Sequence, residues 1–453
     1  MNTMHCDNTV GHSPGAGLSL GWSQGMRYGL LGLPLAFVAL PLYVLLPNYY
    51  ALHFGVPLAG LGLLLLSARL LDAITDPLLG RWADALFARS PTHVLALGAA
   101  AALLLGLSFF GLFFPPVTEL PFLWAWAGAC LLLCYLAFST LTILHQSWGA
   151  LLGGDALGRS RVVAFREGFG LAGVVLASLS PTAFGMPATT ALLGLALVLA
   201  WWAWSRAPQP ARMDAGNVSG PADSVLAPWS VPAFRALLSV FMVNGIATAL
   251  PATLILFFVQ DRLQAPPAME AWFLGSYFLA AALALAPWLR VVKHWGLERA
   301  WLAGMVLSVA VFAFAAQLGT GETTAFLAVC VLSGMAMAAD LALPGALLAG
   351  VIADQNDTAS GRFFGWWNLA TKLNLALAAG LALPLLSGFG YAPGIRSAEG
   401  LQALTWAYCL VPCALKLVAA GLLYFLLLRK SPRNDVFSLA APPAHWAQPR
   451  WAA

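Results

Sequence analysis

Long apolar stretches alternate with short polar ones along the whole chain. Stretches close to the 20 residues that a transmembrane helix needs lie at about 27–49, 57–80, 92–114, 121–146, 162–184 and 187–205. A second set lies at about 233–259, 269–292, 299–318, 324–350, 363–387 and 402–428. Residues 206–232, which separate the two sets, are rich in Pro, Gly and Ser and predict a linker. The pattern therefore predicts an all-α membrane protein of twelve transmembrane helices in two bundles of six, 25–205 and 233–428.

The composition agrees with a membrane protein. Only 9% of the residues are charged and 60% are hydrophobic, whereas about 25% are charged in an ordinary soluble domain. The mean hydropathy is +0.81. The net charge of +4 comes from the loops, so it does not indicate a nucleic-acid partner. We expect residues 1–24 to be a disordered cytoplasmic tail and residues 429–453 a second cytoplasmic tail.

The positions of the basic residues predict the orientation. If the N-terminus is cytoplasmic, seventeen Lys and Arg residues fall on the cytoplasmic side and only Arg262 and Arg396 fall outside, as the positive-inside rule expects. The seventeen are Arg27, Arg81, Arg89, Arg159, Arg161, Arg166, Arg206, Arg212, Arg235, Arg290, Lys293, Arg299, Arg362, Arg429, Lys430, Arg433 and Arg450. We therefore expect both termini in the cytoplasm and a multi-pass protein of the cell inner membrane.

Proline positions indicate that the second half repeats the first. A shift of 210 residues aligns Ala39–Pro41 with Ala249–Pro251, Pro57 with Pro267, and Pro77 with Pro287. Proline is tolerated only where a helix starts or kinks, so three matches at one offset predict the same path through the membrane. Two parallel six-helix halves around a midplane site are the architecture of major facilitator transporters.

Two carboxylates in the second predicted helix are the main candidate for function. Asp72 and Asp76 in "RLLDAITDPLLG" are four residues apart and share a helix face. Each costs about 2.5–3.5 kcal/mol at the centre of a membrane helix, and the repeat places alanines at both equivalent positions. Together with the Thr75 hydroxyl, the pair predicts a site that binds Na⁺ or takes up a proton. Apart from this Na⁺, we expect no metal and no cofactor.

A structural role for the same region stays open. Arg69 lies one turn before Asp72 and can offset one charge. Together with Arg81 and Asp84 it could form a salt-bridge cluster that gates the cytoplasmic end.

Two positions in the first half are candidates for substrate binding. Arg166 opens the fifth helix and could bind an anionic or hydroxylated substrate, or it could simply pair with the adjacent Glu167. Trp148, at the end of the fourth helix, could stack on a sugar ring, although most of the tryptophans must face lipid or the interface.

Polar residues in the second half give further candidates. Asp340 and Lys372 lie on the neighbouring tenth and eleventh helices, and they predict either a pair that breaks when substrate enters or a static buried pair. Asn244 on the seventh helix is a further candidate for substrate contact. Lys416, near the middle of the twelfth helix, could extend its ammonium toward an interface.

Enzyme motifs are weak in this chain. "GWSQG" at 21–25 matches a nucleophile-elbow pattern, but no strand precedes it. No Gly-Lys dipeptide occurs, so there is no P-loop. A membrane-embedded aspartyl protease would take its two aspartates from different helices, whereas these lie on one. We therefore predict that the protein is not an enzyme.

"RLLDAITDPLLG" closely resembles the second-helix signature of the glycoside–pentoside–hexuronide:cation symporters, the melibiose-permease-like branch of the major facilitator superfamily. The resemblance extends at scattered motifs from "YGLLGLP" to "DQNDTASGRFFGWWNLATK", from residue 28 to residue 372. It implies that Asp72 and Asp76 bind the coupling Na⁺, H⁺ or Li⁺; the residue between them is often Asn in the family and is Thr75 here. Trp148, Arg166 and Lys372 match three further family positions. "GRWAD" at 80–84 is similar to the superfamily's cytoplasmic loop motif.

The chain departs from the sugar-transporting members at two positions. Where those members hold substrate hydroxyls with aspartates in the first and fourth helices, this chain has Ala36 and a residue near Leu144. The resemblance therefore implies a retained cation site and an altered substrate site.

From these observations we predict an alternating-access symporter, driven by Na⁺ or H⁺, that moves a small organic solute such as a sugar, glycoside or organic anion. The alternatives are a transporter of lysolipids or other amphiphiles and a proton-coupled exporter of the same fold. A further alternative is a sensor that binds solute without transporting it. We expect a monomer whose partners are its substrate, its coupling cation and the lipid bilayer.

Overall fold

The computed structural model describes residues 21–152, 154–210, 224–355, 360–388, 391 and 397–429. Most of the two predicted tails and the centre of the predicted linker lie outside these residues. Twelve helical segments follow one another in the described chain, which confirms the predicted all-α architecture.

The first segment, α1, consists of four consecutive pieces: Trp22–Gly29, Gly32–Leu40, the π-helical Pro41–Leu45, and Leu46–Phe54. The others are α2 (Leu58–Arg89), α3 (Pro91–Phe113), α4 (Leu120–Leu151), α5 (Ala156–Pro181), α6 (Ala183–Ser205), α7 (Pro232–Arg262), α8 (Pro267–Trp295), α9 (Leu297–Ala315), α10 (Thr323–Asp354), α11 (Ser360–Gly388) and α12 (Ala398–Leu428).

Nine of the helices in the described residues are long and apolar enough to cross a membrane, namely α3 to α10 and α12. Segment α1 is divided into short pieces, and α2 and α11 carry charged residues. Helices α5 and α6 run almost without interruption and are separated only near Gly185, whose φ of 76° lies in the left-handed region. Pro181 and Pro187 flank this break, and neither supplies the N–H that a continuous helix needs.

The repeated prolines occupy equivalent structural positions. Pro57 precedes α2 and Pro267 begins α8. Pro77 and Pro287 lie inside those same two helices. The two halves therefore place prolines at the start and in the interior of their second helices alike, as the constant offset predicts.

The two halves share a hydrophobic core at one end of the bundle. One cluster of buried side chains combines second-half residues with Ala150, Val163, Ala164 and Leu171 of α4 and α5. A separate cluster around Phe258 contains second-half residues alone. The first-half core likewise draws only on residues between 28 and 207. Among the described residues, the halves are thus joined through apolar packing at the end where α4 finishes and α5 begins.

At this end of the bundle, called the closed end below, α2 and α11 cross with their backbones in contact. A Cβ atom added to Gly361 would lie 2.3 Å from the carbonyl oxygen of Gly80, and one added to Gly365 would lie 2.5 Å from the carbonyl oxygen of Asp76. No side chain fits at such distances, so glycine permits the crossing. Gly361, Gly365 and Lys372 are spaced by four and seven residues and share one face of α11. This face is turned toward α2.

Candidate functional site

The two predicted carboxylates lie in the interface between the halves. Asp72 and Asp76 are 6% and 0% exposed and both face α11. Helical spacing places them on one face of α2, and the glycine crossing brings α11 against that face. The pair is therefore covered by protein from the other half.

Lys372 is the residue that covers them. Its Nζ lies 2.6 Å from Oδ2 of Asp72 and 2.7 Å from Oδ2 of Asp76. The prediction that Lys372 pairs with Asp340 is wrong, because its place on the α11 face that meets α2 directs the ammonium across the interface. In this conformation the lysine occupies the side of the acid pair on which a cavity could open.

Ser139 of α4 completes the group. Its hydroxyl donates to Oδ1 of Asp72 at 2.6 Å and accepts from Lys372 Nζ at 2.8 Å. Thr75, which was predicted to supply the neutral oxygen, instead donates its hydroxyl to the backbone carbonyl of Asp72 at 2.8 Å. Sequence reasoning missed Ser139, because Thr140 and Thr142 offer hydroxyls in the same part of α4 and the sequence does not distinguish which of them faces α2.

The two carboxylates are not equally satisfied. Asp72 accepts from Ser139 and pairs with Lys372. Both carboxylate oxygens of Asp76 are buried; the Ser139 hydroxyl lies nearby but donates to Asp72, so among the described residues the ion pair with Lys372 is the main contact that compensates the charge of Asp76. A buried anion with so few partners is costly. The charge of Asp76 is therefore the less compensated of the two, so a proton or a small cation would lower the electrostatic free energy most at this carboxylate.

A second contact between α2 and α11 lies at the closed end. Asp84 Oδ2 pairs with Arg362 Nε at 3.0 Å and accepts from the backbone N–H of Arg362 at 3.0 Å. This places a carboxylate at the N-terminus of α11, where the helix dipole favours negative charge. Asp84, which was predicted to belong to a gating salt-bridge cluster, therefore pairs with an arginine of the other half. Of its proposed companions, Arg81 is exposed and Arg69 is half-buried one turn before Asp72.

A second buried charge cluster lies wholly within the second half. Lys416 of α12 pairs with Asp340 of α10 at 2.6 Å and donates to Asn244 Oδ1 and Thr248 Oγ1 of α7. The other oxygen of Asp340 accepts from Asn244 Nδ2 at 3.0 Å and from Trp301 Nε1 of α9 at 2.9 Å. Every donor of the ammonium has an acceptor.

This cluster corrects two predictions about the second half. Lys416 is 3% exposed, so the expectation that it extends to an interface is wrong. Its three hydrogen-bonding partners hold the ammonium inside the bundle. Asn244 and Asp340 are bound to Lys416 and to each other, so in this structure they are engaged within the second half.

The remaining substrate candidates lie in the first half. Trp148 is 0% exposed, packs against Phe87 and Trp204, and donates to the carbonyl of Pro208 at 2.9 Å. Its ring therefore has no face available for a sugar in this structure.

Arg166 pairs with Glu167 at 2.6 Å, the second of the two roles considered for it. A Cβ added to Gly345 of α10 would lie 3.8 Å from Arg166 Nη2. The ion pair therefore lies where α5 meets the second half.

Comparison with known proteins identifies the architecture. A model of the family described as MFS/sugar transport protein matches residues 26–430. No curated protein matches the chain. The chain is similar in fold to a bacterial homologue of the iron transporter ferroportin in its outward-facing state, with a TM-score of 0.67 and 15% identity over 90% of this chain and 99% of the other.

Two further solved structures share the fold. The E. coli fucose:proton symporter gives a TM-score of 0.62 at 14% identity, covering 88% of this chain and 97% of the other. The human organic anion transporter MFSD10 gives 0.62 at 18% identity, covering 89% and 100%. At these identities the likeness concerns the fold alone.

Proposed function

We propose that this chain, which belongs to the MFS/sugar transport protein family, is a cation-coupled symporter that moves a small organic solute by alternating access. The family and fold make it a multi-pass membrane transporter rather than an enzyme. The substrate class that fits the proposal best is a sugar, glycoside or organic anion. We further propose that both termini lie in the cytoplasm, because the basic loop residues cluster on that side.

One observation carries the proposal: a lysine of the second half bridges an acid pair of the first half. Lys372 Nζ lies within 2.7 Å of both Asp72 and Asp76, and Asp76 has no other directed partner among the described residues. A small cation that binds between the two carboxylates would compete with the ammonium for the same oxygens. The cation site and the contact between the halves are therefore the same group of atoms.

This arrangement supplies a physical coupling. In the state without a cation, Lys372 joins α11 to α2 and the site is closed toward the cytoplasm. Na⁺ binding, or proton uptake at Asp76, releases the ammonium. Lys372 can then face the space between the halves and bind an anionic or hydroxylated solute. Cation and substrate occupancies are thereby linked in free energy, as gradient-driven accumulation requires.

The role of Arg166 within this proposal is secondary. Its pair with Glu167 lies against α10 of the other half. We place it at the edge of the substrate path, where the pair could open as the halves rearrange.

A thermal-unfolding screen of the purified protein tests the proposal. Sugars, organic anions and lysolipids are each added with Na⁺ and with choline, at two pH values. We expect one class of solute to raise the unfolding temperature more when Na⁺ is present, or more at the lower pH if the proton is the coupling ion. The Asp76→Asn variant should lose that dependence while it still unfolds cooperatively. Stabilisation by solute that is the same under all conditions would contradict coupling.

A further inference from the structure

A large groove lies on the outside of the bundle, away from the acid pair. Its volume is about 790 Å³, and it runs between α5 of the first half and α8 of the second, beside the start of α1. Its walls are almost entirely apolar. Apolar residues of α1, α5 and α8 line it together with three basic residues.

Three cations lie together at one end of this groove. Arg161 is in the second turn of α5, whereas Arg290 and Lys293 are in the last turns of α8. The two helices are antiparallel, so these residues meet at the closed end of the bundle. No carboxylate lines the groove, and none of the three forms an ion pair within the described part of the chain. This end therefore favours a negatively charged group.

The remainder of the groove suits an apolar chain. From Arg161 to Ala172 the floor on α5 extends about 16 Å along the helix axis at 1.5 Å per residue. Small residues, Ala164 and Gly168 on α5 and Ala282 and Ala286 on α8, leave the space open. The polar groups of a hydrophilic solute would find no hydrogen-bond partners on these walls, whereas an acyl chain would remove their apolar surface from water.

We propose that the groove binds one anionic phospholipid, with its phosphate at Arg161, Arg290 and Lys293 and an acyl chain along the trough between α5 and α8. In the orientation given under Proposed function, the lipid comes from the cytoplasmic leaflet, whose anionic headgroups attract basic clusters. Because α5 and α8 belong to different halves, the bound lipid contacts both. It stabilises the conformation in which the halves are closed at this end.

The experiment measures lipid retention by native mass spectrometry on delipidated protein that is exchanged with phosphatidylglycerol or phosphatidylcholine. We expect phosphatidylglycerol to be retained preferentially. The variant Arg161→Gln/Arg290→Gln/Lys293→Gln should bind it on the order of a hundredfold more weakly, at about fivefold per charge removed near the surface. A matched control, Arg89→Gln/Arg235→Gln/Arg299→Gln, removes three exposed cations outside the groove and should bind normally.

A second variant separates the groove from general surface charge. Ala286→Phe keeps all three cations but fills an exposed position of the trough, so it should also lose the lipid. Equal retention of both lipids, or unchanged binding in Ala286→Phe, would overturn the proposal. Asp76→Asn should still retain phosphatidylglycerol, since the acid pair is not part of the groove. Loss of transport and loss of the lipid site are thereby distinguishable.

Discussion

Within the part of the chain that the structure describes, two buried lysine–aspartate groups differ in how many hydrogen-bonding partners their charges have. Asp340 and Lys416 belong to the same half and share hydrogen bonds with Asn244, Thr248 and Trp301. Asp76, by contrast, depends on a single lysine from the opposite half. A complete network fixes one arrangement of its own bundle, whereas an incomplete network between two bundles can exchange a partner. The contrast shows that burial alone does not distinguish the two groups; the proposed coupling site is the one whose charge has fewer partners.

Removal of the charge at Asp76 should give the largest effect on transport. Asp76→Asn leaves Asp72 as the only carboxylate of the pair, and the Lys372 ammonium balances its charge, so we expect gradient-driven accumulation to fall by at least about a hundredfold, as for a fully lost charge interaction. Stability should not fall, because a poorly compensated buried charge has been removed. Uptake into proteoliposomes with an imposed Na⁺ or H⁺ gradient measures the first effect, and thermal unfolding measures the second. Unchanged accumulation in both Asp76→Asn and Asp72→Asn would contradict the comparison.

Breaking the complete cluster should reduce stability instead. Asp340→Ala leaves the Lys416 ammonium buried without its carboxylate, which costs about 3–5 kcal/mol for a buried pair. Detergent-solubilised protein should therefore unfold at a clearly lower temperature. The double variant Asp340→Leu/Lys416→Met removes both charges and should recover most of that loss. If the double variant were as unstable as the single one, the cluster would have a role beyond charge balance.

The crossing of α2 and α11 should be sensitive to one methyl group. Gly361→Ala places a Cβ against the backbone of Gly80, and we expect a cost of about 1–3 kcal/mol for overpacking. The strain falls on the closed conformation, so the cytoplasmic end should open more often. Labelling of single cysteines at that end measures the opening. Gly380→Ala on the same helix is the control, because nothing lies within 4 Å of its added Cβ.

The smallest effect is expected for the affinity of the cation. Lys372→Gln removes the ammonium that competes for the acid pair, so Na⁺ should bind about tenfold more tightly, as one lost charge contact implies. Accumulation should still fail, because the cation no longer breaks a contact between the halves. Na⁺ titration by thermal shift gives the affinity. Weaker Na⁺ binding in this variant would instead make Lys372 a support for the cation site.

Much of the fold and part of the site could be predicted from the sequence. Hydropathy gives the helices because each must span the same thickness of membrane, and the i,i+4 spacing gives the common face of Asp72 and Asp76. Which residues lie opposite that face depends on how α11 is rotated about its own axis, and hydropathy does not determine that rotation. The partner of Lys372 was therefore predicted wrongly. Lys416 was misjudged because its partners come from two other helices, α7 and α10.

Ser139 and Trp148 also show what the sequence alone does not determine. Ser139 was missed as a site residue, whereas Trp148 was predicted to contact substrate and is buried. Ser139 is one of several hydroxyl residues of α4, and nothing in the sequence shows that it is the one that faces a carboxylate 67 residues earlier in the chain. A tryptophan at a helix end suggests an interface, although here it packs against Phe87 and Trp204 inside the first half. Only tertiary packing distinguishes these outcomes.

The single lysine opposite two aspartates has an electrical consequence. With all three groups ionised, the empty carrier holds one excess negative charge, and one bound monovalent cation brings the group to zero. A voltage of 100 mV does about 2.3 kcal/mol of work on one charge that crosses the whole membrane. An inside-negative potential would therefore act mainly on the unloaded protein and drive its return to the outward-open state. The rate at which the cation-loaded protein reorients would depend little on the voltage.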